Sequence, residues 1–175
     1  MAQAPLSIGR ALYRMTFRGG TPQRITFDAR LMAMAAIATP VLGALCLRMF
    51  FGLSYLEVGL ALFTVLSGVY IAAALLTRKV PRPRLRQCLQ ALLLLLATSL
   101  LLLLLMTPLA LQLEHARLIL AVIVLGLLTS GAVNVLHFAQ GGPRSNAVLL
   151  TVAFVAGLGA FYALLRGLLE AVFGG

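Results

Sequence analysis

Residues 91–106 read ALLLLLATSLLLLLLM, and this stretch decides the fold class of the chain. It contains eleven leucines and no charged residue. On a membrane-insertion scale, those leucines alone contribute about −3 to −7 kcal/mol in favour of the bilayer. With its apolar flanks the run covers residues 89–111, which is long enough for a transmembrane helix. The sequence therefore predicts an all-α integral membrane protein.

The composition of the whole chain points the same way. Of its 175 residues, 62% are hydrophobic and 10% are charged. Soluble domains average about 45–50% apolar and about 25% charged residues, so this chain has too many apolar groups for a water-soluble core. The first thirty residues are polar and basic and lack the pattern of a secretory signal peptide. We therefore expect the first apolar run, which begins at Leu31, to remain as a span.

Five apolar segments have the length and composition of spanning helices. They cover residues 31–51, 58–76, 89–111, 118–138 and 147–165. Pro40 lies near the middle of the first segment, where a proline is tolerated and kinks the helix. The predicted fold is a polytopic bundle of about five transmembrane helices in residues 31–175, preceded by a basic arm in residues 1–30.

The basic residues predict the orientation of this bundle. Eleven Lys and Arg residues lie in the arm and in the loops after the second and fourth segments, whereas three lie on the other side. The positive-inside rule then places the amino terminus in the cytoplasm and the carboxyl terminus outside. Abundant Leu, Ala and Arg with little Lys is typical of GC-rich bacterial genes, which predicts the cell inner membrane and a periplasmic carboxyl terminus. Because the net charge of +10 follows from this topology, nucleic acid is not an expected partner.

Two basic stretches are candidate contacts for anionic lipid headgroups or for a protein partner. In the arm, Arg10, Arg14 and Arg18 share one stripe of a helix opposite an apolar face, which predicts an amphipathic interfacial helix. A disordered basic tail is the alternative. The loop after the second segment is broken by prolines, so we expect an extended connector there. Its basic residues are Arg78, Lys79, Arg82, Arg84 and Arg86, and their role is either topogenic or the docking of anionic lipid or an acidic partner.

The fourth segment carries a polar stripe. Gly126, Ser130 and Asn134 recur every four residues and His137 follows three residues later, so all four share one helix face. Such residues favour helix packing, because small and amide side chains allow close approach and hydrogen bonding in lipid. The alternative is a contact line for a substrate or ion.

Small residues predict further packing faces. They include Gly59 and Gly68 in the second segment and Ala153, Gly157 and Ala160 in the fifth. The leucine-rich third segment has almost no small residues. We therefore expect it to face lipid or a partner that tolerates leucine.

Catalytic chemistry has little support in the sequence. No Asp, Glu, Lys or Arg lies near the centre of a predicted span, and the standard catalytic and metal-binding motifs are absent. Glu57, Glu114 and His115 gather on the predicted outer side and would form an acid/base or metal site only if they converged. Ordinary ion pairs are the simpler interpretation, joining Arg48 to Glu57, Arg117 to Glu114, and Arg166 to Glu170. We expect no enzyme activity and no cofactor.

In layout, a basic amino-terminal arm followed by five closely spaced helices resembles the Yip1-type membrane proteins. This resemblance is one of topology, and it implies a membrane-organising or trafficking-associated protein without indicating functional residues. The leading hypothesis is a non-enzymatic scaffold, assembly or accessory subunit whose partners are the bilayer, other membrane proteins or a second copy of the chain. The alternative is a small transporter or permease component that uses the polar face of Ser130, Asn134 and His137.

Overall fold

The computed structural model describes residues 8–17, 27–77, 80–112, 116–140 and 143–173, and every regular element in these ranges is an α-helix. The helices are α1 (Ile8–Phe17), α2 (Ala29–Met49), α3 (Tyr55–Thr77), α4 (Arg82–Gln112), α5 (Ala116–Gln140) and α6 (Arg144–Phe173). The predicted spans one to five correspond to α2 to α6. The all-α fold is confirmed.

Among the residues that the structure describes, four helices have the length and hydropathy of membrane spans. They are Ala29–Met49, Arg82–Gln112, Leu118–Gln140 and Arg144–Leu168. In α3, the apolar part within the residues whose side chains the structure describes is Tyr55–Ile71, and the chain continues with apolar residues through position 76. Four of the five predicted spans are therefore long and apolar enough to cross a membrane, and α3 as a fifth span stays a prediction.

Helix α4 is the centre of the bundle, so of the two predicted surroundings, lipid or a partner that tolerates leucine, the second is provided by other helices of the chain. It packs against both α2 and α5 and also touches α3 and α1. The physical reason lies in the neighbouring helices, which present glycines to its leucines. Leu95 fills the place where a Cβ would stand on Gly131 of α5, and Leu100 lies beside Gly43 of α2. Leucine side chains of one helix pack closely where the facing helix has a small residue, and these small residues lie on α2 and α5.

Two buried apolar clusters lie at opposite ends of α4. One joins Leu85, Cys88 and Ala91 to Val135 and Ala139 of α5. The other is formed by Cys46 and Phe50 of α2, Leu103 and Ala110 of α4, and Val124 of α5. The chain order of these contacts makes α4 antiparallel to α5 and parallel to α2. Cys46 and Cys88 are both free and are buried in different clusters.

The connector before α4 is shorter than predicted. Pro83 lies in the first turn of α4, which begins at Arg82, and the Pro81 carbonyl accepts a hydrogen bond from the Leu85 amide at 3.0 Å. Amide groups in the first turn have no partner within the helix, so a proline there removes no hydrogen bond. The expectation of an extended chain through Arg84 is therefore wrong.

The predicted small-residue faces are only partly used within the chain. Leu158 and Phe154 of α6 occupy the space above Gly68 of α3, which confirms that glycine as a packing position. Gly59 and Gly157 have open space around their Cα atoms. Helix α6 is thus attached to the bundle along one side only.

Candidate functional site at the arginine end of the bundle

Arginines surround one end of the bundle, where α2, α4 and α6 begin and α5 ends. We call this the arginine end; the described arginines there are Arg30, Arg82, Arg84, Arg86 and Arg144. All five are exposed. The opposite end, called the acidic end below, holds Glu57 and Glu170.

The polar stripe lies on one face of α5, and two of its residues form hydrogen bonds with other helices of the chain. The Ser130 hydroxyl donates to the Thr16 carbonyl of α1 at 3.0 Å. The Asn134 side-chain oxygen accepts from the Arg144 guanidinium at 3.2 Å, and Asn134 is only 6% exposed. The stripe therefore holds α1 and the start of α6 against α5.

His137 belongs to the same stripe but differs from its neighbours. Its Nδ1 atom is buried and has no hydrogen-bond partner in the part of the chain that the structure describes. Burying a polar nitrogen without a partner costs about 1–3 kcal/mol. Gly126, the fourth member of the stripe, is exposed with open space around it.

Two arginines of α4 each contact an aromatic ring of a neighbouring part of the chain. The Arg84 guanidinium carbon lies 5.7 Å from the ring centre of Phe138 on α5. The Arg86 guanidinium carbon lies 5.9 Å from the ring centre of Phe27, which precedes α2. Attraction between a cation and a ring face contributes about 0.5–1 kcal/mol at exposed sites. Arg84 and Arg86 thus point toward opposite neighbours of α4.

Gln90 is a site residue that sequence reasoning missed. It is fully buried at 0% exposure, and its side-chain oxygen accepts a hydrogen bond from the Asp28 amide at 3.0 Å. The Asp28 carboxylate in turn caps α2 by accepting from the Arg30 and Leu31 amides at 2.9 and 3.3 Å. A glutamine between a basic helix start and a leucine run was the available signal, because a polar side chain at that depth needs a partner.

The remaining predicted contact residues are divided between α1 and the loop before α4. On α1, Arg10 is exposed and Arg14 is half-buried. Helix α1 packs against α5 and α4, and Leu12 touches the buried cluster of Cys88 and Val135. Arg18, Arg78 and Lys79 lie outside the described residues.

At the acidic end, an ion-pair cluster joins α3 to α6. The Arg166 Nε atom lies 2.8 Å from Glu170, which confirms that predicted pair, and Arg166 Nη1 lies 3.8 Å from Glu57. Glu57 was predicted to pair with Arg48, and this is wrong. Arg48 instead donates to the Leu53 carbonyl at 2.9 Å, because the turn before α3 places that oxygen within its reach.

Glu57 also caps α3. Its carboxylate accepts from the Ser54 amide at 2.9 Å and from the Ser54 hydroxyl at 2.8 Å. These two hydrogen bonds, with a smaller contribution from Arg166, lower the pKa of Glu57 from its ordinary value of 4.5. Glu114 and His115 lie outside the described residues, as does the side chain of Arg117, so their predicted convergence with Glu57 and the Arg117 to Glu114 pair stay predictions.

Comparison with known proteins adds no relative. No family model, no curated protein and no solved structure matches this chain.

Proposed function

We propose that this chain is a non-enzymatic, multi-pass inner-membrane protein that acts as a scaffold, assembly or accessory subunit. It binds other membrane proteins or a second copy of itself through helix faces that the chain leaves open. The observation that carries the proposal is the outward face of α6.

Helix α6 is apolar over Arg144–Leu168, yet only 6% of its most apolar window is buried. The residues that pack inward, Ala147, Thr151, Phe154 and Leu158, share one side of the helix. Ala153, Gly157 and Ala160 share another side, and all three are exposed. In lipid, exposed leucine is ordinary, whereas small residues at helical spacing let a second helix approach closely. This face suits a helical partner.

The polar stripe of α5 supports a scaffold over a transporter. Ser130 and Asn134 form hydrogen bonds with α1 and α6, so these groups serve packing within the chain. A substrate path along the same face would have to displace both contacts. The transporter alternative predicts that Asn134→Leu abolishes uptake or efflux of a solute while the protein is still made at its normal level.

Helix α3 acts as a fifth span in this proposal. Its 23 residues correspond to about 34 Å of helix, against a hydrocarbon core of about 30 Å. Five spans place the two termini on opposite sides of the membrane, with the arginine end in the cytoplasm as the positive-inside rule requires. A cysteine introduced at either terminus and labelled in intact cells with a thiol reagent that does not cross the membrane tests this orientation, because Cys46 and Cys88 are buried.

A pair of glycine variants on α6 tests the scaffold proposal. Gly157→Ile adds bulk to the open face, whereas Gly159→Ile adds the same bulk elsewhere on the helix; both positions have open space around them. We expect the wild-type chain to elute from mild detergent as a complex, and Gly157→Ile to shift it toward the single chain. Gly159→Ile should leave the complex intact.

Size-exclusion chromatography with light scattering, and mass spectrometry of co-eluting proteins, provide the measurement. The helix content of both variants should match the wild type, because within the described residues neither glycine has another helix in contact with the position of its added side chain. A wild-type chain that elutes alone, with no second copy and no partner, would contradict the proposal.

A further inference from the structure

We propose that Arg84 and Arg144 form a binding site for the phosphate group of an anionic phospholipid at the arginine end. The site lies over the last two turns of α5. This inference does not depend on the scaffold role, because it requires only that α4, α5 and α6 span the membrane.

The geometry brings two cations onto one stripe of α5. Arg84 reaches Phe138 from α4, with its guanidinium carbon 5.7 Å from the ring centre, and Arg144 reaches Asn134 from α6 at 3.2 Å. Asn134 and Phe138 are four residues apart, so they lie one above the other at a spacing of about 6 Å along the helix. The two guanidinium groups therefore approach the same surface from opposite flanks.

Within the described residues, no carboxylate forms an ion pair with Arg84 or Arg144. The sequence has four acidic residues. Glu57 and Glu170 pair with Arg166 at the acidic end, and the Asp28 carboxylate caps α2. Glu114 lies outside the described residues and follows the other end of α4 in the chain. Two cations that contact one helix face and form no ion pair within the described residues favour the binding of an external anion.

Phosphate suits two guanidinium groups. The planar fork of an arginine binds phosphate oxygens through two parallel hydrogen bonds, and these charge-assisted bonds are about twice as strong as neutral ones. Both arginine side chains are exposed, so their free N–H groups can be reached. The ring of Phe138 and the amide of Asn134 fix where each guanidinium lies.

The surroundings favour a lipid over free phosphate. Three large apolar side chains are exposed directly after the first turn of α6: Val148, Leu149 and Leu150 are 44%, 69% and 46% exposed. They offer contact to an acyl chain just below the arginines. Lipid phosphates lie at the border of the hydrocarbon core, which is where apolar spanning helices begin and end. The site thus has a charged part and an apolar part in the order that a phospholipid presents them.

A lipid titration tests the proposal. The full chain, purified in mild detergent, is mixed with phosphatidylglycerol, with phosphatidylcholine or with inorganic phosphate, and thermal unfolding is followed with a thiol-reactive dye. Cys46 and Cys88 are both buried, so the dye reacts when the bundle opens. We expect phosphatidylglycerol to raise the unfolding temperature and the other two additives to leave it nearly unchanged.

Charge-matched variants locate the effect. The double variant Arg84→Gln with Arg144→Gln should bind phosphatidylglycerol about tenfold or more weakly, because it loses two charge-assisted contacts. Arg86→Gln removes the same kind of charge from a residue that leans toward Phe27, and it should keep the wild-type response. Arg84→Gln alone retains the bond between Arg144 and Asn134, so a partial loss in that variant reports on binding and not on folding.

Three results would overturn the proposal. The first is a double variant that responds to phosphatidylglycerol as the wild type does. The second is an equal loss in Arg86→Gln, which would indicate unspecific attraction to the whole basic rim. The third is equal stabilisation by inorganic phosphate, which would make the ligand a free anion and not a lipid.

Discussion

Helices α4 and α6 have nearly the same length, 31 and 30 residues, and both are strongly apolar, yet they occupy opposite environments. In their most apolar windows, 39% of the α4 residues are buried and 6% of the α6 residues are. The leucine-rich helix is the centre of the bundle, and the helix with small residues lies at its edge. The composition of a helix therefore does not determine whether it lies at the centre or the edge of the bundle. The shapes of the neighbouring helices determine its position.

The neighbours of α4 supply glycines at its contact points. Gly131 leaves room for Leu95, and Gly43 lies beside Leu100 and Leu62. On α6 the relation is reversed, because its Leu158 fills the space over Gly68 of α3. No side chain of the described residues packs against its own Gly157. Packing in lipid depends on close van der Waals contact, so matching knobs and holes determine which helix is central.

The largest expected effect comes from replacing a glycine by leucine in two places: at Gly131 of α5, which faces α4, and at Gly157 of α6. Gly131→Leu forces its new side chain against Leu95 of α4 and should destabilise the bundle by about 3 kcal/mol or prevent folding. Gly157→Leu on α6 enters open space and should leave the unfolding temperature near that of the wild type. Both substitutions gain the same helix propensity, so the difference between them measures packing against α4.

Thermal unfolding in detergent, read by the reactivity of the two buried thiols, is the measurement for this pair. Combining Gly131→Leu with Leu95→Ala should recover part of the lost stability, because it removes the side chain that occupies the space. Equal unfolding temperatures for the two single variants would mean that α4 is not the packing centre.

An intermediate effect is expected where α6 joins α5. Asn134→Leu removes the acceptor for Arg144 and should cost about 1–2 kcal/mol, the usual upper range for a side-chain hydrogen bond between membrane helices. Amide hydrogen exchange should become faster in the first turns of α6. Ser130→Ala is the matched control, because it should raise exchange in α1 and leave α6 unchanged. Exchange that rises equally in both helices would show that the two contacts are not separate attachments.

The smallest effect concerns the attachment of α6 at the acidic end. The folded-state pKa of Glu57 is lowered from 4.5, so its contribution to stability is present above that value and is lost as the pH falls through the folded-state pKa. Glu57→Gln should reduce the fall in unfolding temperature between pH 7 and pH 3. Because the Glu57 side chain is partly open to solvent, its contribution is small and is screened by salt.

Ser54→Ala removes only part of the interaction that lowers the pKa of Glu57. It removes the hydroxyl that donates to Glu57 and keeps the backbone amide that also donates. The pH dependence of Ser54→Ala should fall between those of the wild type and Glu57→Gln. A pH dependence that is the same in all three proteins would exclude Glu57 as its source.

Much of the fold could be predicted from the sequence because insertion into a bilayer depends on local composition. The apolar runs predicted the helices, and α2, α4, α5 and α6 have the properties of spans. Spacing along the chain was sufficient to predict the pair of Arg166 and Glu170, whose partners are four residues apart. The start of α4 at Arg82 was missed. Proline breaks a helix in its interior but is tolerated in the first turn, and the sequence around Pro83 does not distinguish the two cases.

The candidate site could be predicted only in part. The stripe of Ser130, Asn134 and His137 follows from helical periodicity, but its partners Thr16 and Arg144 are 114 and 10 residues away in the chain. Periodicity within one helix cannot identify the helix that faces it. Gln90 was missed for the same reason, since its partner Asp28 precedes a different helix.

The sequence by itself determined that this chain is helical and has several apolar helices able to cross a membrane, because hydrocarbon requires each backbone to satisfy its own hydrogen bonds. Only the tertiary structure decided that α4 is central, that α6 keeps an open face, and that Arg84 and Arg144 each contact the face of α5 that carries Asn134 and Phe138. These features depend on which side chain finds space against which neighbour, and that relation joins residues that are distant in the chain.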